Sequence, residues 1–496
     1  MSHPSVVFVF VGLILPNLVP TIAMITGVGV PVRTAAILGY FLAALLFRIA
    51  PVVIASCVFL GVLAYDVVNM IALMFSLSPL EILGALRYAA EVRFYAAPAY
   101  LVSGLSFIAV AAVTITLLIR RRPLLKQARL RMPLLLLAAT VGLDLWLTHS
   151  PYYSFSAAYA HGKPFRSALL DSGLEPRLEQ TRINFLMVMV EGLGRLVDNR
   201  QQELLMAPFR DPALMERYEL RVGTTEYFGS TTSAEMRELC ASRAPYTELT
   251  VEGALIDCLP ARLVRRGFTT TAFNAFTGSM FDLESWYPRV GFQRMTFAEQ
   301  LLPKMTRTCG AVFRGACDVD VANEVGRALS AGEGPHLVYW LTLNTHLPVP
   351  SNVAKPRYHC NSPAADYPDP QVCWMAEIWT DLFEQLAQIA QAPDLPPTAI
   401  LIVGDHAPPL WSREGRKLFR PGEVTWASLW PRATALLGQG RPAATYDHEA
   451  LLTMQHSPAG AAAPLYTYPY PPMALLPRLH VGHLLTADMV GIRAQR

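Results

Sequence analysis

Charge is scarce in this chain. Only 16% of its 496 residues are Asp, Glu, Lys or Arg. A disordered polypeptide has more charge and fewer apolar residues, so that class is excluded. The formal net charge is only +3 and no basic stripe occurs, so no nucleic acid partner is expected. Cysteine is sparse too, at seven residues, and none stands in a Cys-x-x-Cys spacing. That argues against a zinc cage. No internal repeat is present.

What the chain has instead is apolar sequence, 52% of its residues. The mean hydropathy of +0.31 is too high for an ordinary soluble protein, and the excess lies in residues 1–148. A membrane-crossing helix needs about 20 apolar residues. Five segments qualify: Val6–Ile25, Ala35–Ile49, Val52–Phe75, Pro98–Ile119 and Pro133–Leu147. The first has no basic leader and is interrupted by Pro16 and Pro20, so it does not read as a cleavable signal. Residues 120–131 hold six basic residues and no acidic one. Such loops stay cytoplasmic. The fifth span therefore exits outward, and all that follows is extracytoplasmic. Asp66, Asn69 and Asp144 are polar groups inside apolar segments, which face a bundle interior or a water-filled cavity. Neither Asp is assigned a role.

Cysteine usage agrees with this topology. Cys57 lies in a span and reads as a small core residue. The other six follow the fifth span in close pairs: Cys240 and Cys258, Cys309 and Cys317, Cys360 and Cys373. In an oxidising compartment these read as disulfides. Several connectivities are open, and sequential pairing is the expectation.

The expected organisation is a transmembrane anchor over 1–148, an interfacial linker over 149–182 and an extracytoplasmic domain over 183–496. Residues 77–96 also read as interfacial, with Arg87, Tyr88, Arg93 and Tyr95. From Ile183 onward strands and helices alternate. Ile183–Val190, Thr269–Phe273, Leu337–Leu343 and Ala399–Val403 are apolar runs of strand length, and Val321–Leu329 and Met375–Ile389 show helical periodicity. This predicts an α/β domain with a mainly parallel, doubly wound sheet. The tail from Gly438 reads as loops plus a closing helix.

In such sheets chemistry sits beyond the carboxyl ends of strands. The first strand is followed by Glu191, the third by Asn344, Thr345 and His346, and the fourth by Asp405 and His406. The stretch Gly229 to Glu235 resembles a helix N-terminus. Thr231 or Thr232 there sits among free backbone N–H groups that can receive a phosphoryl oxygen. Glu191, Asp405 and His406 suit one divalent metal, Zn²⁺ or Mn²⁺, with a position open for a threonine hydroxyl. A hydroxyl so placed loses its proton more easily and can attack phosphorus. His346 is placed to bind the phosphate or protonate a leaving alcohol.

The order of these residues resembles the alkaline phosphatase and sulfatase superfamily. More narrowly, it resembles its membrane-anchored phosphoethanolamine and phosphoglycerol transferases. The resemblance covers the anchor and most of residues 183–455. It implies an alkaline phosphatase-like fold, Thr231 as nucleophile, Glu191, Thr231, Asp405 and His406 as metal ligands, and His346 on the substrate side. Thr-Thr-Ser-Ala-Glu-Met at 231–236 is similar to the nucleophile motif of lipoteichoic acid synthases. So is Arg266-Gly-Phe followed by Trp286-Tyr-Pro-Arg-Val-Gly-Phe. The head-group arginine of that branch falls near Leu283 and is absent. The paired cysteines, Cys317-Asp318, Trp379-Thr380-Asp381 and the segment Tyr446-Asp-His-Glu resemble the phosphoethanolamine branch. Departures from that branch are His346-Leu-Pro in place of His-Gly-Pro, and Ala407-Pro-Pro after Asp405-His406. Positions 407–447 contain no histidine, which argues against a second metal, and His448 reads as structural.

The resemblance implies a bacterial inner-membrane, multi-pass enzyme with its catalytic domain outside the cytoplasm. Its expected partners are the membrane, a phospholipid donor and a glycan or lipid acceptor. Phosphoglycerol transfer and a plain phosphodiesterase are the alternatives. A sulfatase needs a Cys-x-x-x-Arg nucleophile, whereas Cys240-Ala-Ser-Arg243 places arginine one position early. A membrane-anchored binding factor on the same scaffold would not bind metal.

Overall fold

The computed structural model describes residues 3–149, 164–250, 257–332 and 334–432. Four N-terminal helices are long and apolar enough to cross a membrane: Pro4–Ile25, Val52–Met74, Pro98–Arg120 and Arg131–Thr148. A fifth apolar helix, Thr34–Ile49, is shorter. Pro16 does not break the first helix. It tightens the turn Leu15–Asn17, and the Asn17 side chain donates to the Leu13 carbonyl at 2.7 Å. On the basic side, Arg122 donates to the carbonyls of Phe47 and Ala50 at the end of the second helix.

Both aspartates inside the bundle are paired. Arg33 and Asp66 form a buried ion pair, and the Tyr40 hydroxyl donates to Asp66 at 3.0 Å. Asp144 accepts the Arg33 amide at 3.2 Å and the Thr34 hydroxyl at 2.7 Å. Cys57 corrects an expectation. It is exposed on the outer surface of its helix, not in a core. Ala55 and Phe59 point inward one turn apart, and helical geometry turns Cys57 away from them.

Among the described residues the outer domain has eight strands: β1 (Asn184–Val190), β2 (Gly194–Leu196), β3 (Tyr218–Glu226), β4 (Thr269–Asn274), β5 (Arg294–Thr296), β6 (His336–Leu341), β7 (Thr398–Gly404) and β8 (Phe419–Pro431). The sheet order is β2-β8-β7-β1-β6-β4-β5, with β3 also paired to β8. The pairs β1·β6, β1·β7, β4·β6 and β4·β5 are parallel. β8 runs antiparallel to β7, β2 and β3. β1, β6 and β7 are buried along their full length. That is why they read as continuous apolar runs.

The predicted strands and helices fall where the periodicity placed them, with two differences. The third strand ends at Leu341, before the expected Leu343. The amides of Leu343 and Asn344 leave the sheet because Asp318, at the start of the helix Asp318–Ser330, accepts both. Strands β2, β3, β5 and β8 have no counterpart among the predicted elements. Three disulfides join Cys240 to Cys258, Cys309 to Cys317 and Cys360 to Cys373. The tail from Gly438, including His448, and residues 150–163 of the linker lie outside the described residues.

Candidate active site

The central parallel strands bring the site together. Val190 at the end of β1 is in register with Gly404 at the end of β7, so Glu191 and Asp405 emerge side by side. Gly404 is required there: a Cβ would lie 1.9 Å from the Leu193 carbonyl oxygen. Glu191 is held through its backbone. Its amide donates to the Thr342 hydroxyl, and its carbonyl accepts the Thr345 hydroxyl at 2.6 Å and the Trp379 indole N–H at 3.2 Å. One Asp405 oxygen, Oδ1, accepts the amides of Gly192 and His406 at 2.8 and 2.7 Å. The other, Oδ2, faces outward into the site.

Thr231 opens the helix Thr231–Cys240, as its position in the hydroxyl-rich stretch predicts. The chain turns into this helix at Gly229, whose φ of +66° is a left-handed conformation. The Thr231 hydroxyl donates to Asp405 Oδ2 at 2.9 Å and lies 3.3 Å from His406 Nε2. His406 Nε2 is 3.4 Å from Asp405 Oδ2 and 4.0 Å from Glu191 Oε1. His406 Nδ1 is 3.0 Å from the Ala407 carbonyl, which fixes the tautomer with the proton on Nδ1. The Nε2 lone pair therefore points at the two carboxylates.

Glu191, Asp405 and His406 offer three ligand atoms within 4.8 Å of one another. Burial, and then the neighbouring Asp405 carboxylate, push Glu191 well above the usual carboxylate range. Two adjacent carboxylates and an imidazole lone pair with no countercharge among them fit a divalent cation. These residues, with the Thr231 oxygen beside them, are the ones that would hold it.

His346 is not bonded to this cluster. Among the described residues the hydrogen bond of its side chain runs from Nδ1 to the carbonyl of the next residue, Leu347, at 3.0 Å, and its ring lies tilted against Phe313, with centroids 4.1 Å apart. Burial lowers its pKa to about 4, so the ring is neutral near pH 7. The loop that carries it is shaped by Asp318, which accepts Leu343 and Asn344 amides, while Asn344 accepts the Asp318 amide. Sequence reasoning did not assign these supporting roles. Nor did it single out Arg237 and Glu238, although two adjacent charges between Met236 and Leu239 are an unusual pattern for a buried helix face.

A mainly parallel α/β sheet with an acidic and imidazole cluster, and a hydroxyl at a helix N-terminus, defines the alkaline phosphatase-like class of enzyme fold. Residues 184–430 match the family model described as Sulfatase, and the outer domain of this chain belongs to that family. Several solved structures are similar. The lipoteichoic acid synthase LtaP from Listeria monocytogenes is 15% identical, with a TM-score of 0.40, over 51% of this chain and 66% of that one. The C-terminal periplasmic domain of EptC from Escherichia coli, in complex with Zn, is 13% identical, with a TM-score of 0.35, over 53% and 76%. The phosphoglycerol transferase GacH from Streptococcus pyogenes, in complex with sn-glycerol-1-phosphate, is 13% identical, with a TM-score of 0.37, over 54% and 74%. The chain thus spans just under two thirds of the Listeria protein's length. No curated protein matches the chain.

Proposed function

We propose that the chain transfers phosphoethanolamine from a membrane phospholipid to an extracytoplasmic glycan or lipid acceptor, through a phospho-threonine at Thr231. It would do so as a multi-pass protein of a bacterial cytoplasmic membrane, with residues 1–148 as anchor, 149–182 as interfacial linker and the domain from 183 facing outward. The observation that carries this reading is the Thr231 hydroxyl, which donates to Asp405 while its oxygen adjoins His406.

A Zn²⁺ or Mn²⁺ held by Glu191, Asp405, His406 and Thr231 would lower the pKa of the hydroxyl and neutralise phosphoryl charge. The chain's own residues do the rest. Thr231 gives its proton toward Asp405 Oδ2 as its oxygen attacks phosphorus. The bond from phosphorus to the diacylglycerol oxygen breaks, the proton released by Thr231 passes on to that oxygen, and diacylglycerol leaves as the alcohol. The free amides at the start of the Thr231 helix receive phosphoryl oxygens. Neutral His346 presents the Nε2 lone pair, which suits accepting a proton from the acceptor hydroxyl. That hydroxyl then displaces Thr231 and completes the transfer.

Leu283, buried where the glycerol-phosphate branch is expected to have its arginine, favours the ethanolamine head group. The nucleophile motif at 231–236 supports phosphoglycerol transfer as the second reading. Mass spectrometry of the Thr231 peptide after incubation with mixed phospholipids separates them. Phosphoethanolamine on Thr231 is expected, and phosphoglycerol there would favour the second reading. No adduct, with full activity in Thr231→Ala, would refute the covalent route.

A further inference from the structure

Arg237 and Glu238 are both buried, two turns along the helix that begins with Thr231. The Arg237 guanidinium points at the end of β7. Its Nη2 donates to the Gly404 carbonyl at 2.9 Å and its Nη1 to the Asp405 carbonyl at 3.2 Å. Its Nε donates to Glu238 at 2.7 Å. Glu238 in turn accepts the amides of Ala168 and Leu169 at 3.0 Å each. Those residues open the short helix Ala168–Asp171, in the segment that leads from the membrane linker into the domain.

Three elements thus meet on one ion pair: the helix carrying Thr231, the strand end carrying Asp405 and His406, and the later part of the linker. The last ladder bond at this strand end runs from the Asp405 amide to the Val190 carbonyl. The carbonyls of Gly404 and Asp405 then turn to the guanidinium. A planar fork can bridge two successive carbonyls, whereas an ammonium is a point charge with no such geometry. Fixing these two carbonyls fixes the direction in which the Asp405 and His406 side chains leave the sheet, relative to Thr231 on the same helix as Arg237.

We propose that Arg237 is a positioning residue that sets the Asp405–His406 strand end against Thr231, and that Glu238 makes the later part of the linker, at residues 168–169, part of the same assembly. The proposal rests on the reading of Asp405 and His406 as metal ligands. Outer contacts that orient metal ligands are worth about 10–100-fold in metal affinity or activity.

The test uses the full-length protein in detergent, with Co²⁺ as the probe. Wild type is expected to bind Co²⁺ with visible d–d absorption that Asp405→Asn abolishes. If wild type shows no such absorption, the metal-centre reading itself fails, whatever Arg237 does. Arg237→Lys keeps the charge beside Glu238 and loses the two-carbonyl grip. It is expected to bind Co²⁺ about 10–100-fold more weakly with an altered spectrum, and to lower kcat by a similar factor with KM for phospholipid unchanged. Thermal unfolding of the metal-free protein monitors the fold. Wild-type cobalt affinity, spectrum and kcat in Arg237→Lys overturn the proposal and leave the metal centre standing. Should Arg237→Lys not fold, Glu238→Gln carries the test, since it weakens the hold on Arg237 and on residues 168–169. Reduced cobalt affinity in that variant supports the coupling, and unchanged affinity overturns it.

Discussion

Glu235 offers the most quantitative test of how the domain is built. It lies one helical turn beyond Thr231 and is fully buried. The hydroxyls of Tyr287 and Tyr339 both donate to its Oε1, the second at 3.0 Å. Its Oε2 has no hydrogen-bond partner among the described residues. Burial dominates the two tyrosine bonds and raises its pKa from 4.5 to about 8. Between these values the native protein holds a proton that the unfolded chain has released. Stability from this group is therefore complete below pH 4.5 and falls as pH rises through 8. At about 1.4 kcal/mol per pH unit the ceiling is about 5 kcal/mol, of which about 3 kcal/mol falls between pH 5.5 and 8. Glu235→Gln mimics the protonated state. Its Oε1 can accept both tyrosines, and its amide nitrogen takes the unpartnered place of Oε2. The variant and wild type are expected to match below pH 4.5. Between pH 5.5 and 8 the advantage of the variant is expected to grow by about 3 kcal/mol, roughly 5–10 °C in Tm. Thermal unfolding of both proteins across this range reads the difference. Glu191 and Asp318 also have raised pKa values, but they act alike in both proteins and cancel. Parallel pH profiles for the two proteins would refute the argument.

Other expectations follow from the same contacts. Asp318→Ala strands the buried amides of Leu343 and Asn344, at about 1–3 kcal/mol each. A loss of about 2–5 kcal/mol in denaturant unfolding is expected, and a loss below 1 kcal/mol would contradict the clamp. Asp66→Ala leaves Arg33 charged and buried in the membrane bundle, which costs about 3–5 kcal/mol. Thermal unfolding in detergent checks it, and an unchanged midpoint counts against the pair. Chelation of divalent cations is expected to abolish transfer, and Zn²⁺ or Mn²⁺ to restore it in wild type but not in Asp405→Asn. Activity that survives exhaustive chelation would rule out the metal centre.

The parts legible in the sequence share a physical cause. β1, β6 and β7 are buried on both faces, so their apolar runs are continuous, and the residues just past them announce the site. Strands β3 and β8 gave no such signal. β3 carries an exposed Arg221, half-buried Gly223 and Thr224 and a buried Thr225, and β8 contains Pro421 and Gly422, which look like a turn. Their pairing stems from antiparallel contacts across about 200 residues of chain, which local pattern does not encode. Glu191, Thr231, Asp405 and His406 were legible because each sits immediately beyond a strand or at a helix start. The roles of Arg237, Glu238 and Asp318 were not, because each is defined by a backbone group distant in sequence. Cys57 shows the reverse limit: an apolar residue in a span can face outward as readily as inward, because lipid is as apolar as a protein core.

The anchor does more than tether the outer domain. On one side Val28 pairs with Ser412, the Gly29 amide donates to Trp411, and the Arg413 amide donates to Gly27. Those outer residues lie a few positions past His406. On the other side the segment between the third and fourth apolar helices reaches two loops. Arg87 pairs with Asp282 and Tyr88 packs edge-on against Phe281. The Arg93 amide donates to the Val312 carbonyl, next to the Phe313 whose ring lies against His346. Phe281 and Asp282 both have positive φ, a conformation costly for side-chain-bearing residues unless neighbours hold it. The neighbours here include Arg87 and Tyr88 of the anchor. A flexible tether raises the local concentration of a lipid head group near the site but leaves its approach angle free. Contacts on both flanks of the site fix that angle as well. For a reaction whose donor is confined to a bilayer surface, orientation is the larger part of what proximity can supply. Under the proposed function, with a lipid donor, these contacts of the anchor with the outer domain would themselves position the substrate, and their loss is expected to lower transfer from lipid more than hydrolysis of a small soluble phosphodiester.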